Sequence, residues 1–277
     1  MEHTIVRKKD LNADDYLIEV RAPRVAKRFE PGCFAVLITR PCGERIPMSI
    51  KSAEDGNIVM YIKRLGKTSL ELDSWEAGDS LNAVIGPMGT PPELKAYGNV
   101  AFCSDLVCGH AENYAFCKGL SETPGNKVIS MQTFPTEADV YPDEELCADV
   151  CDEFYLTTAD GSRGITGHYL EIVEDMLEEG ELDAIFAGGD IPTLQKLGEL
   201  TRPYGVPTIV TVRQIMIDGT GMCGSCRVYL DGEMKLTCID GPMFDAHKLN
   251  FEDILSRLAM FKGREKVATD HYLNLEV

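Results

Sequence analysis

The chain has 277 residues, a formal net charge of −18 and ten cysteines. That length suits two or three compact units rather than one small core, and the acidic balance argues against nucleic acid as a partner. No apolar run approaches the ~20 residues of a membrane span. Met1-Glu2-His3-Thr4 lacks the basic and apolar regions of a signal peptide, so cysteines in this number predict a reducing, cytoplasmic setting.

Residues 1–96 read as β-rich. Strands are predicted over Thr4–Lys8, Tyr16–Ala22, Phe34–Thr39, Pro47–Ser52, Asn57–Lys63 and Ser80–Ile85, separated by turns such as Glu30-Pro31-Gly32 and Asp55-Gly56. Short strands at this spacing predict a barrel or sandwich. Two stretches on it carry chemistry. Arg45-Ile46-Pro47-Met48-Ser49 offers a guanidinium whose planar fork matches a pyrophosphate. Lys63-Arg64-Leu65-Gly66-Lys67-Thr68-Ser69 opens a short helix at Gly66, with free N–H groups, a positive dipole end and the hydroxyls of Thr68 and Ser69 for a phosphate. A surface arginine or an ordinary helix cap is the plain alternative for either stretch taken alone.

Residues 97–212 read as α/β. Short buried strands are predicted over Val100–Cys103, Lys127–Gln132, Glu153–Thr157, Ala184–Ala187 and Thr208–Val212. Helical patterns fall between them at Ala111–Leu120, Gly167–Glu179 and Thr193–Pro203. This alternation predicts a doubly wound parallel sheet.

Residues 213–277 carry the densest motif. Asp218, Cys223, Cys226 and Cys238 follow the spacing D-x4-C-x2-C-x11-C. A plant-type [2Fe–2S] site reads C-x4-C-x2-C…C, so a carboxylate stands where the first thiolate would be. Gly219, Gly221, Gly224 and Ser225 would let backbone N–H groups approach inorganic sulfide. Arg227–Leu230, Asp231-Gly232 and Glu233–Leu236 read as a β-hairpin that returns Cys238 to the Cys223/Cys226 loop. Zinc on three thiolates and a carboxylate is the alternative, although a second C-x2-C or a His pair is absent. Because Asp is a harder ligand than Cys, another thiol or a water is the alternative fourth ligand. Leu249–Met260 is predicted as an amphipathic helix capped by Asn250. Lys262–Lys266 reads as a solvated basic run, and Asp270–Leu275 as a tail available to a partner surface.

The run Asp218–Arg227, with Cys238–Pro242 and Phe244–His247, resembles the cluster module of the small flavin-containing subunit of NADH-dependent ferredoxin:NADP oxidoreductase. That subunit is similar to the sulfide dehydrogenase small subunit and to the electron-transfer subunit of dihydroorotate dehydrogenase. An Asp takes the first ligand position in the bifurcating transhydrogenase branch, and a Cys does so in the dihydroorotate dehydrogenase branch. Upstream, Arg45–Ser49, the Gly66–Ser69 turn, Gly86-Pro87-Met88-Gly89 and Thr158–Gly164 resemble, in order, elements of the ferredoxin–NADP reductase superfamily. The resemblance implies FAD held by Arg45, Pro47, Met48, Ser49, Gly66, Thr68 and Ser69, with Ser49 on a ring nitrogen. It implies a [2Fe–2S] cluster on Asp218, Cys223, Cys226 and Cys238.

The pattern breaks in the α/β region. Where the superfamily has G-G-G-x-G-x-A-P this chain reads Cys103-Ser104-Asp105-Leu106-Val107-Cys108-Gly109-His110-Ala111-Glu112. The G-x-R grip reads Ser130-Met131-Gln132, and the C-G-P element reads Ala187-Gly188-Gly189-Asp190. Weak or absent NAD(P)H binding is therefore expected. The expected whole is an FAD-binding β-barrel (1–96), a nucleotide-domain-like α/β unit (97–212) and a [2Fe–2S] module with tail (213–277). Such a chain would be an electron-transfer subunit of a cytoplasmic, multi-subunit oxidoreductase. Its partner would be a larger flavin and iron–sulfur chain, with ferredoxin or another carrier beyond it. The rival readings are a self-sufficient NAD(P)H-oxidising reductase and a structural subunit that has lost a cofactor.

Overall fold

The alternating run Tyr16-Leu17-Ile18-Glu19-Val20 turns Tyr16, Ile18 and Val20 to one side, as a period of two requires. In a computed structural model that describes residues 3–275, these three face Ile62, Met60 and Ile58 across an antiparallel pair, and all six are fully buried. The elements of this first unit are β1 (Ile5–Asp10), β2 (Asp15–Arg21), α1 (Pro23–Ala26), β3 (Phe34–Ile38), β4 (Ile46–Ser49), β5 (Ser52–Glu54), β6 (Asn57–Lys63), α2 (Lys67–Asp73) and β7 (Ala83–Met88). They form two sheets, ordered β1-β2-β6-β5 and β4-β3-β7, closed over one apolar core. The predicted strand Pro47–Ser52 is two strands in two sheets. The chain changes sheet at Ile50-Lys51, where Ile50 is driven into the core and Lys51 pairs with Asp143 of the next unit. That switch makes a corner of the barrel.

The second unit holds β8 (Asn99–Ser104), α3 (Val107–Ser121), β9 (Lys127–Phe134), α4 (Glu145–Ala148), β10 (Glu153–Thr158), β11 (Ile165–Thr166), α5 (Tyr169–Glu179), β12 (Ala184–Gly188), α6 (Ile191–Thr201) and β13 (Thr208–Thr211). Its strands are parallel and ordered β11-β10-β9-β8-β12-β13. The order reverses between β8 and β12, the place where open α/β sheets form a crevice. α3 begins at Val107, four residues before the predicted start, with Leu106 at its N-cap. The barrel is pinned to this unit by Tyr141, whose hydroxyl donates to Asp15 at 2.8 Å, and by Tyr61, which donates to Asp143 at 2.6 Å.

The remaining elements are β14 (Arg227–Leu230), β15 (Glu233–Leu236), β16 (Met243–Asp245), α7 (Phe251–Leu258) and α8 (Lys262–Leu275). The β14–β15 hairpin turns at Asp231-Gly232, both at positive φ (48° and 85°). Strand β16 follows the cysteine-bearing hairpin and joins β13 antiparallel, adding a seventh strand to the large sheet. Asn250 caps α7 by accepting from the Asp253 amide at 3.0 Å. The stretch 262–275, read from sequence as a tail, is one continuous helix. Among the described residues, no helix is long and apolar enough to cross a membrane.

Candidate functional site

Sheet β4-β3-β7 brings two sets of the expected residues to one place. β4 carries Ile46, Pro47, Met48 and Ser49, with Arg45 just before it. Its neighbour β3 pairs Phe34 with Ser49, Ala35 with Met48 and Val36 with Pro47. Phe34 and Val36 in turn pack on Cys226 and Cys238, together with Met88 of β7 and Met216. The strand bearing Arg45–Ser49 and the pocket bearing two of the cysteines are thus one strand apart, a step of about 4.8 Å in a sheet. Arg45 spans it: its Nη1 donates to the Asp218 carbonyl at 3.1 Å.

The four candidate metal donors are set by a tight loop and a hairpin. Gly219, Gly221 and Gly224 all take positive φ (77°, 83° and 67°). At Gly221 the bend is also crowded, since a Cβ there would stand 2.8 Å from Ile239. Cys226 precedes β14 and Cys238 follows β15. The hairpin closes with the Thr237 amide on the Cys226 carbonyl at 3.1 Å, and the two sulfurs lie 3.3 Å apart. Burial and the neighbouring Cys226 thiol push the Cys238 thiol up to about 12. Cys223 is exposed on the loop, and the Ser225 hydroxyl lowers its pKa. Asp218 accepts the Thr220 amide at 2.9 Å and the Cys223 amide at 3.0 Å, and its pKa is lowered, chiefly by the Thr220 amide.

Among the described residues, no three His, Cys, Asp or Glu side chains converge on one point as a metal sphere. The donors fall into two pairs instead, Cys226 with Cys238 and Asp218 with Cys223. Two thiolates about 2.3 Å from one tetrahedral metal sit roughly 3.8 Å apart, close to the separation of the buried pair. A two-iron cluster takes its protein ligands two per iron, whereas structural zinc requires all four around one centre. The donor set therefore fits a [2Fe–2S] cluster.

The residues expected to hold FAD divide. Arg45 and Pro47 are exposed, while Met48 and Ser49 are half-buried. Gly66 caps α2 in extended geometry, and a Cβ on it would meet nothing within 4 Å, so the helix start is open to a ligand. Thr68 and Ser69 already have protein partners. The Thr68 hydroxyl donates to Glu44. Ser69 Oγ accepts the Leu65 and Gly66 amides, both at 3.0 Å, and so shapes the turn rather than facing outward. Guanidinium, open helix start and half-buried hydroxyl still make a donor set suited to a flavin dinucleotide. The turn Gly86–Thr90 seats the cysteine module: the Thr90 amide and hydroxyl donate to Gly241 and Ile239 carbonyls at 2.6 and 2.7 Å.

At the crevice between β8 and β12 the substituted glycine loop packs directly against the turn from β12 into α6. Gly109 serves packing, since a Cβ there would fall 1.9 Å from the Gly188 carbonyl oxygen. Asp105 fills the space in front. Its Oδ1 accepts the Asp190 amide at 2.8 Å, and His168 Nε2 lies 3.4 Å from its Oδ2. A residue whose role the sequence did not show is Glu112. It accepts from Ser49 of β4 and from Thr211 of β13, both at 2.6 Å. These partners are 63 and 99 positions away in the chain, beyond the reach of any local pattern.

Residues 213–250 match the family described as the iron–sulfur cluster binding domain of dihydroorotate dehydrogenase B. A Thermotoga maritima protein named as a homolog of the electron transfer subunit of dihydroorotate dehydrogenase B (NAD(+)) is 34% identical, over 97% of this chain and 95% of its own. The subunit of that name from Geobacillus thermodenitrificans is 28% identical over 88% of this chain and 95% of its own. A chain from the NADH-dependent reduced ferredoxin–NADP oxidoreductase structure superimposes with a TM-score of 0.91 at 32% identity, over 99% of this chain and 98% of that one. Phthalate dioxygenase reductase shares the fold at a TM-score of 0.57 and 16% identity, over 82% of this chain and 85% of its own.

Proposed function

Because the chain belongs to the family of dihydroorotate dehydrogenase B electron-transfer subunits, we propose that it relays electrons between a flavin on β4, a cluster beneath β3 and a partner subunit. It is an FAD- and [2Fe–2S]-carrying oxidoreductase subunit of ferredoxin reductase-like fold. When bound, FAD interconverts two-electron and one-electron chemistry and the cluster carries single electrons.

The observation that carries the relay is the shared strand β3, which pairs with Ser49 on one edge and packs on Cys226 and Cys238. In this reading Arg45 and the Gly66 turn hold the pyrophosphate, and Pro47, Met48 and Ser49 line the ring. Thr68 and Ser69 shape the phosphate turn. Asp218, Cys223, Cys226 and Cys238 hold the irons. The units are 1–96, 97–212 and 213–277. The partner is a larger flavin and iron–sulfur chain in the cytoplasm. Met222, Ile217 and Ile239, which are 88%, 61% and 44% exposed around the cluster loop, support its docking there.

Anaerobic purification of the full chain, with flavin extraction and iron and acid-labile sulfide assays, tests the reading. One FAD and two irons with two sulfides are expected. Zinc without labile sulfide would overturn the cluster, and a colourless chain that takes up no FAD would overturn the flavin site.

A further inference from the structure

The loop that carries Cys223 and Cys226 is gripped by two arginines. Arg227, at the start of β14, donates from Nη1 to the Gly224 carbonyl at 3.2 Å. Arg257, from α7, donates from Nη2 to the Ser225 carbonyl at 2.8 Å. Both residues are half-buried, and Arg257 Nε is shut off from solvent with no hydrogen-bond partner. Helix α7 is anchored by Phe251 and Ile254, which share a core with Val228 of β14, and Arg257 follows Ile254 at i+3 on the same face. The chain has 45 acidic residues against 27 lysines and arginines. Even so, among the described residues neither arginine lies within ion-pair distance of a carboxylate. Asp253 stands at i−4 to Arg257, the ordinary place for a helical partner, and does not pair with it. A half-buried guanidinium without an anion is costly, so these two cations point to a negative group beside the loop.

Each arginine binds the carbonyl end of a loop peptide. The Gly224 carbonyl shares its peptide with the Ser225 amide, which donates to Cys223 Sγ at 3.5 Å. The Ser225 carbonyl shares its peptide with the Cys226 amide. A cation on the carbonyl oxygen polarises the whole peptide and strengthens what its N–H gives away. We infer that Arg227 and Arg257 are positioning residues for the iron–sulfur site, holding the last two peptides before Cys226 by their carbonyls and raising the potential at which the site accepts an electron. This rests on the cluster reading above and deepens it. Neither arginine is a ligand; both act through the loop backbone and through their charge.

The step is the uptake of one electron, from the flavin in the relay or from dithionite in the test. One ferric iron becomes ferrous; no bond breaks and no proton is required. Two ferric irons, two sulfides, three thiolates and a carboxylate sum to about −2, and the electron makes that about −3. The added charge is repelled by the charge already there and attracted by the two guanidiniums. Cys226 and Cys238, each 1% exposed, sit where salt and water screen that attraction little. Unit charges on the order of 10 Å apart, at an effective dielectric of ~20, attract enough to shift a one-electron equilibrium roughly tenfold.

The experiment is an EPR-monitored dithionite titration of the anaerobically purified full chain, with iron and acid-labile sulfide assayed in every sample. Arg227→Gln and Arg257→Gln should each keep two irons and two sulfides. Each should lower the one-electron reduction constant about tenfold, which is about 59 mV in midpoint potential. Arg257→Lys, which keeps the charge on α7, should stay within about threefold of wild type. A purely structural role would lower the melting temperature of the glutamine variants and leave the potential of their clusters where it was. Full clusters at the wild-type potential in both glutamine variants therefore overturn the inference, as does an Arg257→Lys potential displaced as far as that of Arg257→Gln. Should one glutamine variant lose its cluster, the other is read by the same criterion, and loss in both overturns the inference in favour of a scaffold role. In each of these outcomes the cluster reading stands, whereas wild-type protein without labile sulfide brings down both.

Discussion

Asp105 is where a nucleotide would have to compete with the protein itself. Pyrophosphate groups bind at such a crevice through bare backbone N–H groups at a helix start. Here the Asp190 amide, at the N-cap of α6, already donates to Asp105 Oδ1 at 2.8 Å. A bound pyrophosphate would have to break that charge-assisted bond, at a cost of about 1.5–3 kcal/mol. It would also lie beside a carboxylate. At ~4 Å and an effective dielectric of ~20 a like-charge pair costs about 4 kcal/mol, and screening to a quarter leaves ~1 kcal/mol. The total, roughly 2.5–4 kcal/mol, weakens binding by about 10²–10³. NADH and NADPH should therefore bind the isolated full chain at millimolar concentration or not at all. Asp105→Asn keeps an acceptor for the Asp190 amide and removes the charge, so it should tighten both nucleotides about tenfold. Fluorescence titration gives the affinities, and anaerobic mixing shows whether the flavin is reduced. Rapid bleaching of the wild-type flavin at micromolar NADH would refute the reasoning, as would identical affinities for wild type and Asp105→Asn.

Two further changes probe the other ends of the molecule. Asp218→Cys should retain the cluster and shift its potential and EPR signal, because a thiolate is softer and donates more charge to iron than a carboxylate; an unchanged spectrum and potential would mean that Asp218 is not bound. Gly109→Ala should lower the melting temperature by several degrees, since the new Cβ would fall 1.9 Å from the Gly188 carbonyl oxygen and overpacking costs about 1–3 kcal/mol. Wild-type melting of that variant would show that α3 and β12 can part without cost.

The strands and helices that read from sequence were those with an unbroken period. Tyr16–Val20 alternates cleanly, and the Asp231-Gly232 turn sits between two short β runs, so barrel and hairpin are legible in the sequence. The split at Ile50-Lys51 was not, because residues 47–52 look like one strand to any local rule, and only the opposing sheets reveal the change of partner. Ser69 had the chemistry of a phosphate donor, yet the Leu65 and Gly66 amides reach it first. Glu112 stands in the altered glycine loop, but its bonds to Ser49 and Thr211 depend on how barrel and sheet are docked. The helix over 262–275 was obscured by its lack of a one-sided apolar stripe.

Strand β16 has a bearing on how this chain can be cut. It follows the last cysteine by only a few residues and lies on β13 as the outer strand of the large sheet. A truncation after residue 212 would bare the N–H and C=O groups of β13 along a whole edge, and such an edge recruits other chains. It would also remove Met243 from the second unit's core, where it packs with Phe102, Phe116 and Phe186. The cysteine-bearing segment is therefore not a cartridge that can be exchanged between proteins by splicing at its first residue. A fusion that keeps the sheet sealed would have to carry residues 243–245 across with the α/β unit, leaving the hairpin as an insertion between its last two strands.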